Sequence, residues 1–77
     1  MKGANELCAD NLVFYGNDEC KKASRELGKP YRGYITNYDY PKCFYSLKDH
    51  FDGVFWNRAH NGAANQLARP ICRSKSK

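Results

Sequence analysis

Four cysteines, Cys8, Cys20, Cys43 and Cys72, constrain this 77-residue chain more than any other feature. A chain this short buries only about 60% of the surface that its unfolded form exposes, so one hydrophobic core leaves it marginally stable. Disulfide bonds stabilise such a domain by restricting the unfolded chain. The cysteines therefore predict a small domain with two disulfides, of the kind found in oxidising compartments.

The pairing of the cysteines is open, because four cysteines allow three connectivities. We expect the nested pairing, Cys8 with Cys72 and Cys20 with Cys43, for which the chain-entropy model gives about 4 and about 3.5 kcal/mol. A zinc site usually has its ligands in close pairs such as C-x-x-C, and the sequence contains no such pair. We therefore expect no metal and no other cofactor. Four reduced cysteines of an intracellular protein are the alternative.

The length predicts a single disulfide-stabilised domain over residues 1–77. We expect residues 1–6 and 73–77 to be flexible tails and the protein to be a monomer. No apolar run is long enough to span a membrane. Residues 1–5 lack the apolar stretch of a signal peptide, and we interpret the chain as a mature secreted form with an added initiator methionine.

The net charge of +5 is unevenly distributed. Residues 1–40 carry six basic and six acidic groups, whereas residues 41–77 carry seven basic groups and two acidic ones. A polyanion would therefore be attracted to the second half of the chain. A basic, well-solvated surface without a specific partner is the simpler interpretation.

The sequence predicts one helix over residues 18–27. Asn17 is its expected N-cap, Asp18 and Glu19 fall in the first turn, where the helix dipole favours anions, and Gly28 ends it. One face of this helix is expected to point inward, and it carries Cys20, Ala23, Ser24 and Leu27. The apolar run 12–15 before the helix predicts a buried strand.

Further strands are predicted after Pro30. Residues 34–40 form an extended run that places Tyr34, Tyr38 and Tyr40 on one side, and two short strands follow at 43–47 and 53–57. A last strand within 67–72 lies at the sheet edge, where Pro70 is tolerated. The predicted fold class is α+β, with one helix packed on a small, mainly antiparallel sheet of three to four strands.

Aromatic residues are concentrated in the predicted sheet, since nine of the eleven lie between Tyr31 and Trp56. Aromatic faces stack on unpaired bases, and neighbouring cations bind phosphates. We expect Phe44, Phe55 and Trp56 to belong to the core. The predicted binding surface consists of Tyr34, Tyr38, Tyr40, Lys42, Arg58 and His60.

The chain contains two histidines, the side chains best suited to proton transfer near neutral pH. We expect His50 to lie in a surface turn. If the protein cleaves RNA, His60 with Lys42 or Arg58 would supply part of the catalytic site.

The order of these elements resembles a known family. The shared features are a helix after the first cysteine, Tyr40-Pro41-Lys42, Gly53-Val54-Phe55, His60-Asn61-Gly62-Ala63 and a closing cysteine. They resemble the secreted guanyl-specific ribonucleases of fungi and the shorter ribonuclease-like effectors that pathogenic fungi secrete into plants.

The resemblance implies a ribonuclease-like fold but departs from the active enzymes at their catalytic residues. Those enzymes have a histidine where this chain has Lys42, and their catalytic glutamate on a central strand has no counterpart after Glu26. Only His60 matches their general acid. The resemblance therefore implies the non-enzymatic effectors, whose members are thought to bind RNA or host proteins.

Together with this resemblance, the sequence predicts a secreted effector-like virulence protein that binds RNA or a host protein through a tyrosine-rich, basic surface, outside cells or after translocation into a host cell. Two alternatives stay open. One is a secreted ribonuclease that cleaves single-stranded RNA, and the other is a cationic antimicrobial or toxin-like protein.

Overall fold

One helix packs against one face of a four-stranded sheet in the computed structural model, which describes residues 3–9, 13–14, 16–59 and 62–73. The elements in chain order are α1 (Asn17–Glu26), β1 (Tyr31–Ile35), β2 (Cys43–Ser46), β3 (Gly53–Asn57) and β4 (Ala68–Pro70). The strand order in the sheet is β1-β3-β2-β4. β1 is parallel to β3, and the other two pairings are antiparallel. The α+β class, with one helix on a small sheet, is as predicted.

The helix lies close to its predicted position but begins one residue earlier. Gly16 is the N-cap in extended backbone, its carbonyl accepts the Cys20 N–H, and no side chain caps the helix. The prediction of Asn17 as N-cap was therefore wrong, because Asn17 is already helical. Gly28 ends the helix as predicted, with a φ of 68° that favours glycine.

The strands follow the prediction in part. β2, β3 and the edge strand β4 lie within the predicted segments, and Pro70 is in that edge strand. The extended run 34–40 was wrong, because β1 ends at Ile35 and Tyr38 lies in a turn. Of the predicted strand 12–15, Val13 and Phe14 lie outside any strand, and residues 12 and 15 are outside the described residues.

A β-bulge in β1 decides which side chains lie on each face of the sheet. Tyr31 is aligned with Val54 and Gly33 with Phe55, so two steps along β1 match one step along β3. Gly33 has a φ of 131°, a conformation that other residues rarely adopt. After the bulge, Tyr34 is aligned with Trp56 on the helix side of the sheet. Ile35 therefore points to the opposite face.

The two disulfides have the nested pairing that we expected. Cys20 on the helix is bonded to Cys43 at the start of β2, and both are buried. Cys8 is bonded to Cys72, which links the N-terminal segment to the residues after β4. In the same segment, the N–H of Asn5 donates to the carbonyl of Asn65.

The core lies between the helix and the sheet. Its buried members are Cys20, Cys43, Val54, Trp56 and Ile71, with Phe14, Ala23, Tyr31 and Tyr45 packed against them. Leu27, predicted on the inner face of the helix, is instead 39% exposed, because it follows the last helical turn as the C-cap residue. The predicted core aromatics Phe44 and Trp56 are buried, and Phe55 is half-buried.

Candidate binding site

Three stacked aromatic rings lie on the sheet face opposite the helix. Phe44 in β2 and Phe55 in β3 are direct antiparallel partners, and their ring centroids are 5.7 Å apart. Tyr40, three residues before β2, stacks on Phe44 with centroids 5.0 Å apart and an interplanar angle of 19°. Phe44 is almost fully buried at the centre, whereas Tyr40 and Phe55 are half-buried. The stack therefore presents its two outer rings to solvent.

An open cavity of about 240 Å³ lies over this stack. We call it the aromatic groove and define it by Ile35, Tyr40, Phe44, Lys48, Phe51 and Phe55. Phe51, in the loop between β2 and β3, is 53% exposed, and the Lys48 Nζ lies 5.2 Å from its ring centroid. Thr36, Asn37 and Ser46 add polar groups to the lining. The groove combines flat apolar surfaces with one cation.

Asn57 holds the segment that carries Tyr40. Its side chain is fully buried at the end of β3. Its amide nitrogen donates to the carbonyls of Asn37 and Tyr40, and its oxygen accepts the N–H of Asn37 and of Ala59, at 2.5–3.1 Å. Sequence reasoning missed Asn57, although a polar residue that ends the apolar run Val54-Phe55-Trp56 was a usable signal.

Further contacts hold the same segment from the other side. The Tyr40 carbonyl also accepts the N–H of Ala63, and the Asn65 amide donates to the Asp39 carbonyl. Gly62 packs so closely that a Cβ there would lie 2.9 Å from the Tyr40 oxygen. The position of Tyr40 beside the sheet is therefore fixed by tertiary contacts rather than by a strand.

Lys42, a predicted binding residue, is occupied by internal contacts. Its ammonium donates to the Ala59 carbonyl and lies 4.9 Å from the ring centroid of Trp56. Burial lowers the pKa of Lys42 because the charged form loses hydration. In this arrangement the ammonium stabilises the chain after β3 and is not extended into solvent.

Tyr34 and Arg58 form a second exposed cluster. The Arg58 guanidinium carbon lies 4.9 Å from the Tyr34 ring centroid, and Tyr34 is 62% exposed. Because Tyr34 is aligned with Trp56, this pair lies on the helix side of the sheet and away from the aromatic groove. The predicted extended run required Tyr34 and Tyr40 to share one surface. The structure instead places them on different surfaces.

The other predicted site residues are separate from the groove or outside the described part. Tyr38 is 66% exposed in the turn after β1. His60, the candidate general acid, lies outside the described residues. His50 lies in the predicted surface turn, where the Phe51 N–H donates to the Lys48 carbonyl.

A larger cleft of about 450 Å³ lies between the helix and the segment after β4. It combines Glu19 and Glu26 with Lys22 and Arg73, so its charges are mixed, and it contains one aromatic ring, that of Phe14. A planar ligand finds fewer aromatic rings there than in the aromatic groove, and the two cations of the cleft are accompanied by two carboxylates.

Within the described ranges, no group of three or more His, Cys, Asp or Glu side chains could hold a metal ion. No helix in that part of the chain is long and apolar enough to cross a membrane.

Comparison with family models, with characterised proteins and with solved structures gave no match to this chain. The ribonuclease-like fold and the relationship to secreted effectors therefore stay predictions from the sequence.

Proposed function

We propose that this chain is a secreted, non-catalytic binding protein for single-stranded RNA. The observation that carries the proposal is the open aromatic groove over the Tyr40–Phe44–Phe55 stack. Single-stranded nucleic acids bind to surfaces of this type by stacking their bases on aromatic rings, while nearby cations bind the phosphates.

The charges of the protein favour a polyanionic ligand. The chain has a net charge of +5, and the charged side chain in the groove lining is that of Lys48. An RNA strand leaving the groove would meet this cation at the rim, on a chain whose net charge is also positive. Electrostatic attraction would therefore increase both the affinity and the association rate.

The lining of the groove supports binding rather than cleavage. RNA hydrolysis requires a general base and a general acid beside the phosphate. Among the described residues that line the groove, none carries a carboxylate or an imidazole. Lys42, which occupies the position of a catalytic histidine in the ribonucleases that the sequence resembles, is engaged with Ala59 and Trp56.

The extracellular part of the proposal is supported by the disulfides. Two disulfides in a chain of 77 residues are typical of small secreted domains. An effector role inside a plant host is included in the proposal and is supported by the sequence resemblance alone.

The proposal is tested by measuring the binding of a fluorescein-labelled 12-nucleotide RNA to the oxidised protein by fluorescence anisotropy. We expect affinity at 50 mM salt that falls as salt rises. Replacement of Lys48 by Ala should reduce the slope of log K against log salt by about 0.7, the value for one lost phosphate contact. Lys21→Ala, which removes the same charge from the exposed side of the helix, is the matched control and should leave the slope nearly unchanged.

Two results would contradict the proposal. Absence of RNA binding at 50 mM salt would favour a protein partner, because protein interfaces are also rich in Tyr and Arg. Cleavage of the RNA by the native protein but not by His60→Ala would show that the chain is a ribonuclease. Cleavage that persists unchanged in His60→Ala would point to a contaminating nuclease.

A further inference from the structure

We infer that the aromatic groove holds one unpaired nucleobase at a time, with Lys48 bound to the phosphate of the same nucleotide. This inference rests on the proposed function, since it names the unit of RNA that the groove takes. It involves Lys48, Phe51 and Phe55, which sequence reasoning had not assigned to the binding surface.

The size of the groove limits its ligand to one small ring system. Its volume of about 240 Å³ is below the range of about 300–1,000 Å³ that is usual for clefts that enclose drug-sized molecules. Two stacked bases would need more space. A longer RNA would therefore place one base in the groove and leave its neighbours on the surrounding surface.

The walls of the groove suit a flat ligand. Tyr40 and Phe55 are the solvent-facing members of the ring stack, whose central ring, Phe44, is buried. Phe51 stands at the rim with 53% of its surface exposed, in a loop that contributes no strand. An exposed phenylalanine beside a ring-lined cavity gives a base a further surface for stacking.

The polar groups of the lining match the edge and the backbone of a nucleotide. Thr36, Asn37 and Ser46 offer donors and acceptors of the kind that bind base edges. Ser46 Oγ also accepts the backbone N–H of Lys48, which holds the start of the loop against β2. The Lys48 ammonium lies near the Phe51 ring, where it can reach a phosphate attached to a base in the groove.

The charge of the lining favours a nucleotide over a peptide side chain. Within its described lining, Lys48 is the charged residue, whereas Asp49 and Asp52 lie in the same loop but are not part of the lining. An aromatic side chain of a partner protein would fill the same space but would bring no negative charge to Lys48. The two ligands can therefore be separated by a competitor that carries a phosphate.

The test is displacement of the labelled RNA from the native protein by nucleoside 5′-monophosphates, with ribose 5-phosphate as the competitor that lacks a base. We expect the monophosphates to displace the RNA and to shift the backbone amide signals of Phe44 and Phe55 in ¹⁵N NMR spectra. Ribose 5-phosphate should do neither at the same concentration. An RNA with abasic sites at all positions should bind about tenfold more weakly than the intact strand.

Matched variants locate the site. Phe51→Ala should weaken monophosphate binding about tenfold, whereas Tyr34→Ala removes an exposed ring from the other side of the sheet and should leave monophosphate binding unchanged. Both residues are more than half exposed, so both variants should fold, which circular dichroism would verify.

The outcomes separate the two proposals. RNA binding without competition by monophosphates, or RNA binding that is weakened by Tyr34→Ala and not by Phe51→Ala, would overturn the base pocket and leave the proposed function standing. Absence of RNA binding would overturn both. Displacement by ribose 5-phosphate that is as effective as displacement by the monophosphates would show a phosphate site without base recognition, which also overturns the inference.

Discussion

Replacement of Asn57 by Ala should be one of the most destabilising polar substitutions in this protein. The Asn57 side chain is fully buried and makes four hydrogen bonds, two as donor and two as acceptor. They hold the backbone of Asn37, Tyr40 and Ala59 at the end of β3. Truncation removes all four bonds and leaves a cavity in their place.

The expected loss of stability depends on whether each backbone group that Asn57 binds has another hydrogen-bond partner. Four hydrogen bonds at about 1 kcal/mol net each would sum to about 4 kcal/mol. Tyr40 keeps one partner, because its carbonyl also accepts the N–H of Ala63, and Asn37 is exposed enough for water to replace part of the loss. Ala59 is buried, so its N–H is left unsatisfied. We expect a decrease of about 3 kcal/mol in the free energy of unfolding.

The assay is urea unfolding of the oxidised protein, followed by tryptophan fluorescence and analysed by linear extrapolation. A domain of this length has a total stability of only about 4–12 kcal/mol, so the midpoint should fall markedly. Asn37→Ala is the matched control. It removes one local hydrogen bond from an exposed asparagine, to the N–H of Asp39, and should cost less than about 1 kcal/mol.

Asn57→Asp isolates the two donor bonds. The new carboxyl keeps the acceptor oxygen but turns a second oxygen toward the carbonyls of Asn37 and Tyr40. Burial and these carbonyls should raise the pKa of the new carboxyl, because both disfavour the ionised form. The variant should thus lose most stability above this raised pKa and recover part of it in acid. A loss below 1 kcal/mol for Asn57→Ala, or a pH-independent loss for Asn57→Asp, would refute the reasoning.

Three further variants test the interior. Tyr31→Phe should raise the stability by about 1 kcal/mol, because the buried Tyr31 hydroxyl has no hydrogen-bond partner among the described residues. Burial, with a smaller contribution from Asp18, raises the pKa of Tyr31. The native protein should therefore lose further stability relative to this variant as the pH rises above 10. A lower free energy of unfolding in Tyr31→Phe would show that the hydroxyl has a hydrogen-bond partner. Loop lengths alone predict a loss of about 4 kcal/mol without Cys8–Cys72 and about 3.5 without Cys20–Cys43. In urea unfolding we expect the Cys20→Ala, Cys43→Ala pair to lose more stability than the Cys8→Ala, Cys72→Ala pair, because Cys20 and Cys43 also fill the core. A larger loss for the Cys8 and Cys72 pair would contradict this expectation.

The predicted elements that agree with the structure are those set by local signals. The helix is marked by Asp18 and Glu19 in its first turn and by Gly28 after its end, and these residues act through contacts within a few positions. The strands of Gly53–Asn57 and Cys43–Ser46 are short apolar runs between polar turns. Local propensity and burial point in the same direction there, so the pattern alone was sufficient.

The prediction for residues 34–40 failed because local sequence signals do not specify tertiary contacts. Alternating tyrosines are typical of a strand, but β1 stops at Ile35, and the bulge at Gly33 moves Tyr34 to the helix side. Tyr40 lies over Phe44 because Asn57 and Ala63 hold its carbonyl from 17 and 23 positions away along the chain. No periodicity within the segment contains that information.

The sequence by itself was sufficient to predict a small domain with two disulfides, the helix and three of the four strands. It also determined the basic charge. Each depends on composition or on neighbours in the chain. Only the tertiary structure decided which aromatic rings share a surface, which cations are engaged internally and where a ligand could fit. Those properties depend on strand register and on a buried asparagine, whose contacts join residues that are distant in sequence.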